Sequence, residues 1–315
     1  MRSKTSLVAV SLALSLAATG TAMAASQGYG PRAFQLVPDN SHILTLYGLH
    51  LHGNQTFAPG AVLEGGDIDV SAGVVQYTQP FELAGSQGAI VAALPFGTIS
   101  GSVETPWERL PRVERSASGL FDAQIMAVMG LIGSPSMTPQ EYAAYDPAFQ
   151  LGILANVYAP IGAYDSDRIL NPGSNRWAVQ FGAPMVLNLG KSLLAPNLTT
   201  LEFLPSGTLF GDNNDPFGPA DATGQKAMFT AEAHLTRNLN KMFWVSADAF
   251  YTYGGETTTD GASNDDVQNA LGLGGTLNMT LGPAFTLKGS YGQIVYRNDK
   301  GPEGQMVRLM ATGAF

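Results

Sequence analysis

Met228-Phe229-Thr230-Ala231-Glu232-Ala233-His234-Leu235-Thr236 is the stretch from which the rest of the chain can be read. Its odd positions carry Phe229, Ala231, Ala233 and Leu235; its even positions carry Thr230, Glu232, His234 and Thr236. Successive side chains of a β-strand point to opposite faces, so this segment has one apolar and one polar side. Asn238-Leu239-Asn240 then turns the chain into residues 242–253. There Phe243, Val245, Ala247, Ala249, Tyr251 and Tyr253 alternate with Trp244, Ser246, Asp248, Phe250 and Thr252. Two such segments joined by a short Asn-rich turn form an antiparallel hairpin.

The pattern continues outward in both directions. Residues 267–281, 285–296 and 305–315 follow, with Gly282-Pro283 as one of the turns. Upstream, residues 41–52, 67–78, 87–98, 120–132, 149–160, 176–189 and 199–210 give weaker versions. Together these are about twelve strands, an even number that lets a single-chain antiparallel barrel close. Pro160, Pro184 and Pro205 sit within or at the ends of these segments and predict strand ends or irregularities, since each lacks a ladder N–H. Residues 104–118, rich in Arg and Glu, read as a connection. Thr138-Pro139-Gln140-Glu141 is a capping-box start and predicts a short helix over residues 139–145.

Alternation alone also fits a soluble sandwich. Three features favour the membrane. Aromatics (Phe243, Tyr251, Tyr253, Phe285) lie near segment ends on the apolar side, as in the interfacial girdles of outer-membrane barrels. Tight turns alternate with longer, acidic connections such as residues 212–215 and 260–266. The chain ends on Phe315, with Val307, Leu309 and Ala311 at alternate positions before it, a pattern expected to serve as the insertion signal for the barrel-assembly machinery. No stretch approaches the ~20 apolar residues of a membrane helix. With charged residues at only 13% of the chain, lipid contact leaves the closed barrel.

Residues 1–24 read as a secretory signal peptide. Arg2 and Lys4 precede an apolar run over residues 7–18, and Ala22 and Ala24 flank Met23 at the cleavage site. Residues 25–315 are then one outer-membrane barrel domain. The 315 residues contain no cysteine, which removes disulfides and thiol chemistry. A net charge of -9 without a basic stripe argues against nucleic acid as a partner. The expected surroundings are outer-membrane lipid and lipopolysaccharide.

The even positions of the last strands supply the expected lumen lining: Glu232, His234, Trp244, Asp248, Phe250, Lys288 and Arg308. A lipid-facing charge at mid-depth would cost about 2–4 kcal/mol, so Lys288 and Arg308 identify the lumen side. Trp244 and Phe250 are expected greasy contacts for an apolar solute. No catalytic set is expected: no Gly-x-Ser-x-Gly elbow occurs. Nor is a metal or other cofactor expected; His50 and His52 share one face but lack a further ligand nearby. Whether residues 25–40 and 104–118 enter the pore as a plug is left open by the sequence.

Several stretches together resemble the meta-pathway phenol-degradation family of outer-membrane transporters. They are Pro160-Ile161-Gly162-Ala163-Tyr164-Asp165, Asn171-Pro172-Gly173-Ser174-Asn175-Arg176-Trp177 and Tyr253-Gly254-Gly255-Glu256-Thr257, with residues 271–275 ahead of Ser290-Tyr291-Gly292. The resemblance covers roughly residues 149–315 and implies an outer-membrane barrel passing small, largely apolar compounds, aromatic ones among them, without implying an enzyme. A structural or surface-interaction barrel without transport is the alternative.

Overall fold

A computed structural model describes residues 28–104, 112–190, 192–282 and 284–315. The signal peptide and its Ala22 and Ala24 lie outside the described residues. In chain order the strands are β1 (Ile43–Gly53), β2 (Gly66–Leu83), β3 (Ser86–Glu104), β4 (Arg112–Leu120), β5 (Ala123–Ile132), β6 (Phe149–Ala159), β7 (Ala178–Gly182), β8 (Met185–Leu189) and β9 (Thr199–Phe210). They continue as β10 (Thr223–Gln225), β11 (Met228–Asn238), β12 (Phe243–Gly254), β13 (Thr257–Thr259), β14 (Ala262–Ser263), β15 (Gln268–Thr280), β16 (Phe285–Arg297) and β17 (Gly304–Ala314). One helix, α1 (Pro139–Ala144), lies between β5 and β6 and carries the Thr138–Glu141 capping box.

Neighbouring strands pair antiparallel around a ring that closes where β1 meets β17, from Ile43↔Ala314 to Gly53↔Gly304. The ring is a closed barrel of 12 staves, because two staves are each made of two pieces. β4 and β5 both pair with β3 and are separated by a one-residue slip at Phe121–Asp122. β7 and β8 both pair with β6 and β9, and their register is the same on either side of the gap. That gap has a simple cause: Pro184 lies one step from the level of Pro205 on β9, which stands opposite Ala183, and neither proline has an N–H for the ladder. Pro160 follows the last residue of β6.

Beyond membrane depth, β4 pairs with β3 alone among the described residues. Closing the ring pairs the first strand with the last, β1 with β17, and so removes the edges of the sheet at membrane depth. It also leaves an oily exterior: Leu46, Leu94, Phe96, Ile125, Phe203, Leu235, Leu277 and Leu309 all project outward and are exposed. So broad an apolar belt on a closed sheet is stable against lipid and not against water.

The connections differ between the two ends. At the end holding Ile43 and Ala314, β2 and β3 are joined through Ala84 (φ 53°) and Gly85 (φ 80°) alone. Two left-handed central residues make the type I′ geometry that matches strand twist. Asn240 Oδ1 accepts from the Met242 and Phe243 amides at the β11–β12 turn. The opposite end carries most of the long connections, and β10, β13 and β14 form a small separate sheet there; at the Ile43 end the β5–β6 link, which holds α1, and the β8–β9 link are the longer ones. Short turns mark the periplasmic side and long loops the extracellular side.

One expectation fails here. Residues 112–118 are not a connection: they belong to β4 and pair with the outer half of β3. β2 and β3 have 18 and 19 residues, where crossing the bilayer takes about 9–11. Their outer halves therefore stand in water, and there charge-rich sequence is compatible with a strand.

Candidate functional site

Residues 28–42, ahead of β1, are mostly buried, with residues 28–38 inside the barrel. Residues 28–38 have no strand partner, so their backbone polar groups must be satisfied by wall side chains. Glu232 on β11 accepts from the Tyr29 amide (3.0 Å) and the Gly30 amide (3.1 Å). Glu202 on β9 accepts from the Arg32 amide (2.7 Å). Lys288 Nζ donates to the Pro31 carbonyl (3.0 Å) and Arg308 to the Gly28 carbonyl (3.1 Å). Gln87 on β3 clasps Val37, accepting from its amide and donating to its carbonyl. Gly30 takes a left-handed φ of 85° hard against Arg308, where a Cβ would lie 2.6 Å from the guanidinium. The segment is a plug.

The wall facing the plug has two chemistries. From β9 round to β17 it is charged and hydroxylic. His234 lies between two carboxylates, with Nδ1 2.8 Å from Asp248 and Nε2 3.4 Å from Glu232. Asp248 also accepts from Ser246 and Thr276, both at 2.7 Å. Glu232, His234, Trp244, Lys288 and Arg308 are buried, and Asp248 and Phe250 partly so. Lys288 and Arg308 thus sit on the lumen side. Trp244 is not open to a solute in this state, because Arg32 of the plug covers its ring at 4.5 Å and Lys288 approaches it at 5.3 Å.

From β1 to β6 the strands of the inner wall carry no buried charge among the described residues but mix an apolar cluster with hydroxyls and with amides such as Gln76, Gln87, Gln124 and Asn156. Tyr47, Leu49, Leu51, Ile68, Val70 and Val74 face inward and pack with Phe57, Phe121 and Leu170 from connections. Lower down, Val91, Met126 and Leu154 pack against Tyr29 and Ala33 of the plug, with Phe34 against them. The Tyr29 hydroxyl is met by Gln180 and by Asn156. A cavity of about 80 Å³ remains between residues 33–37 and this wall. Leu36 extends to the periplasmic mouth, where it packs with Met137, Tyr142 of α1 and Leu193.

The extracellular loops cap the barrel. Gln225 donates to the carbonyls of Gly60 (2.9 Å) and Gly255 (2.7 Å), and Gln268 to Gly60 (2.8 Å). Arg176 bonds Gln225 and the Pro59 carbonyl and lies over Phe210. Burial lowers its pKa to about 10, so it stays charged at neutral pH. The two stretches at residues 160–165 and 171–177 that carry the family resemblance belong to this cap. Gly162 and Gly173 touch backbone to backbone, leaving no room for a Cβ. Asp122 accepts from the Gly162 and Ser174 amides at 3.1 and 2.9 Å, and Asp165 and Asn171 bond each other twice.

Other residues singled out in the sequence lie on the outside. Val307 and Leu309 are exposed and Ala311 partly so. Phe315 stacks on His42 (5.8 Å between rings), and their backbones exchange two hydrogen bonds at 2.9 Å. His50 and His52 face outward beside Asp69 at 3.5 and 3.1 Å. Sequence reasoning missed Glu202, Gln87, Gln180 and Asn156. All are inward positions of recognised strands, but their partners lie in the plug, whose sequence carries no periodicity.

A closed ring with an oily belt and most of its long loops at one end is a bacterial outer-membrane β-barrel. A family model described as "Putative MetA-pathway of phenol degradation" matches residues 53–307. The chain belongs to that family. Among solved structures, the COG4313 outer membrane channel from Pseudomonas putida F1 superposes with a TM-score of 0.72 at 21% identity, covering 91% of this chain and 99% of that one. The beta domain of the Bordetella autotransporter BrkA superposes with a TM-score of 0.51 at 9% identity, over 88% of this chain and 100% of that one. No curated protein matches the sequence.

Proposed function

We propose that the protein is an outer-membrane channel for small, largely apolar compounds, held closed by residues 28–42. The apolar cluster inside β1 to β4 carries this reading. Water-filled porins line their lumen with polar groups, whereas here Leu49, Leu51, Ile68, Val70 and Val74 face inward and pack under Phe57, Phe121 and Leu170. The likeness to a solved outer-membrane channel supports it, and the family's description connects it with phenol degradation.

In this reading Glu232, His234, Trp244, Asp248, Phe250, Lys288 and Arg308 line the route and hold the plug. They do no covalent chemistry. Both ring nitrogens of His234 face carboxylates, so neither is left to take a proton from a nucleophile. Val307, Leu309, Ala311 and Phe315 serve insertion by the assembly machinery, while the outer surface meets lipid and lipopolysaccharide.

The test is uptake of phenol or toluene by liposomes holding the purified barrel. Faster entry than into empty liposomes is expected, and removal of residues 28–38 should raise it severalfold. Equal uptake with and without the barrel, even after that removal, would leave the structural-barrel alternative.

A further inference from the structure

Resting on the channel reading, we propose that the cavity between plug residues 33–37 and the apolar wall is a binding subsite for a single-ring phenol, a flat apolar body with one hydroxyl. Three observations meet there. The walls are Phe34, Pro80, Val91, Met126, Val128 and Val186, contributed by the plug and by β2, β3, β5 and β8. No charged side chain lines it, so an ionised solute is not matched. Its size of about 80 Å³ is roughly half that of a ~150 Å³ cavity that takes up benzene, so a ring fits there by displacing part of the plug.

The third observation supplies the polar end. Gln150 on β6 is 4% exposed and lines the cavity, and among the described residues neither its Oε1 nor its Nε2 has a hydrogen-bond partner. The Thr78 hydroxyl on β2, 7% exposed, likewise lines it without one. Buried amides and hydroxyls are costly to leave unmatched. A carboxamide offers one donor group and one acceptor, and a phenolic hydroxyl both donates and accepts. The two fit each other, whereas a plain hydrocarbon satisfies neither atom. Because Gln87 pins Val37 at the cavity's edge, a bound ring would press directly on the plug.

Fluorine NMR titration of the folded, detergent-held barrel tests this, using 4-fluorophenol and 4-fluorotoluene as probes. Wild type should bind 4-fluorophenol saturably and at least severalfold more tightly than 4-fluorotoluene. Gln150→Leu should weaken 4-fluorophenol about tenfold and leave 4-fluorotoluene within about twofold. Ala89→Trp, which fills the cavity from β3, should abolish both. Thr78→Val is nearly the same shape; it should weaken only the phenol, and it decides the matter if Gln150→Leu fails to fold. Equal affinities in wild type, no saturable binding, or indifference of 4-fluorophenol to these substitutions would overturn the subsite. Liposome flux separates the two claims. Flux without selective binding removes the subsite and leaves the channel; selective binding without flux does the reverse.

Discussion

The two walls of the lumen hold the same plug by different physics. The β9–β17 wall reaches it with charge-assisted hydrogen bonds: Glu232 and Glu202 take its amides, Lys288 and Arg308 its carbonyls. The β1–β6 wall packs against it through Val91, Met126 and Leu154, and its directional contacts are made by uncharged amides, Gln87 on Val37 and Asn156 on the Tyr29 hydroxyl. Hydrogen bonds fix position but are lost abruptly with distance; apolar contact is non-directional and tolerates sliding. One wall therefore sets where the plug sits, and the other leaves a surface along which an oily solute can replace it.

Substitutions on each wall should break this contrast in different observables. The largest effect is expected from Leu51→Ala, which empties space in the fully buried apolar cluster. It should lower barrel stability by about 2–5 kcal/mol, read from denaturant unfolding in lipid, with the plug still docked. Glu232→Leu should instead spare the ring and loosen the plug. It strands the Tyr29 and Gly30 amides, which costs roughly 1–3 kcal/mol and so raises the plug-out population about tenfold or more. Single-channel recording, or protease access to residues 28–38, measures this. If Glu232→Leu unfolded the barrel while Leu51→Ala opened it, the assignment of the walls would be reversed. The smallest effect is Trp244→Leu. It removes the ring beneath Arg32 and Lys288, is worth about 0.5–2 kcal/mol, and should shift opening in the same direction by a smaller factor.

How legible all this was in the sequence varied along the chain. In β11 the polar set Thr230, Glu232, His234 and Thr236 faces an inner wall that is itself polar, so alternation was plain. In β1 it was not. Leu44 and Leu46 face lipid while Leu49 and Leu51 face the apolar lumen, and oil on both sides erases the contrast that a two-residue period needs. β4 was missed for a related reason: its stretch carries Arg112, Glu114 and Arg115, and charge is only a poor sign of a loop where a strand stands beyond the bilayer. Trp244 was placed on the correct strand, but Arg32 over its ring was not legible, because Arg32 is remote from it in sequence.

Alternation, turn residues and prolines are properties of adjacent residues, so the number of staves, their direction and the side each residue takes were set by the sequence alone. The plug, the division of the lumen into two walls and the carboxylate clamp on His234 were decided only by tertiary structure. Each joins residues from different strands, in the plug's case some 200 positions apart, that come within bonding distance only once β17 pairs with β1 and the ring is sealed.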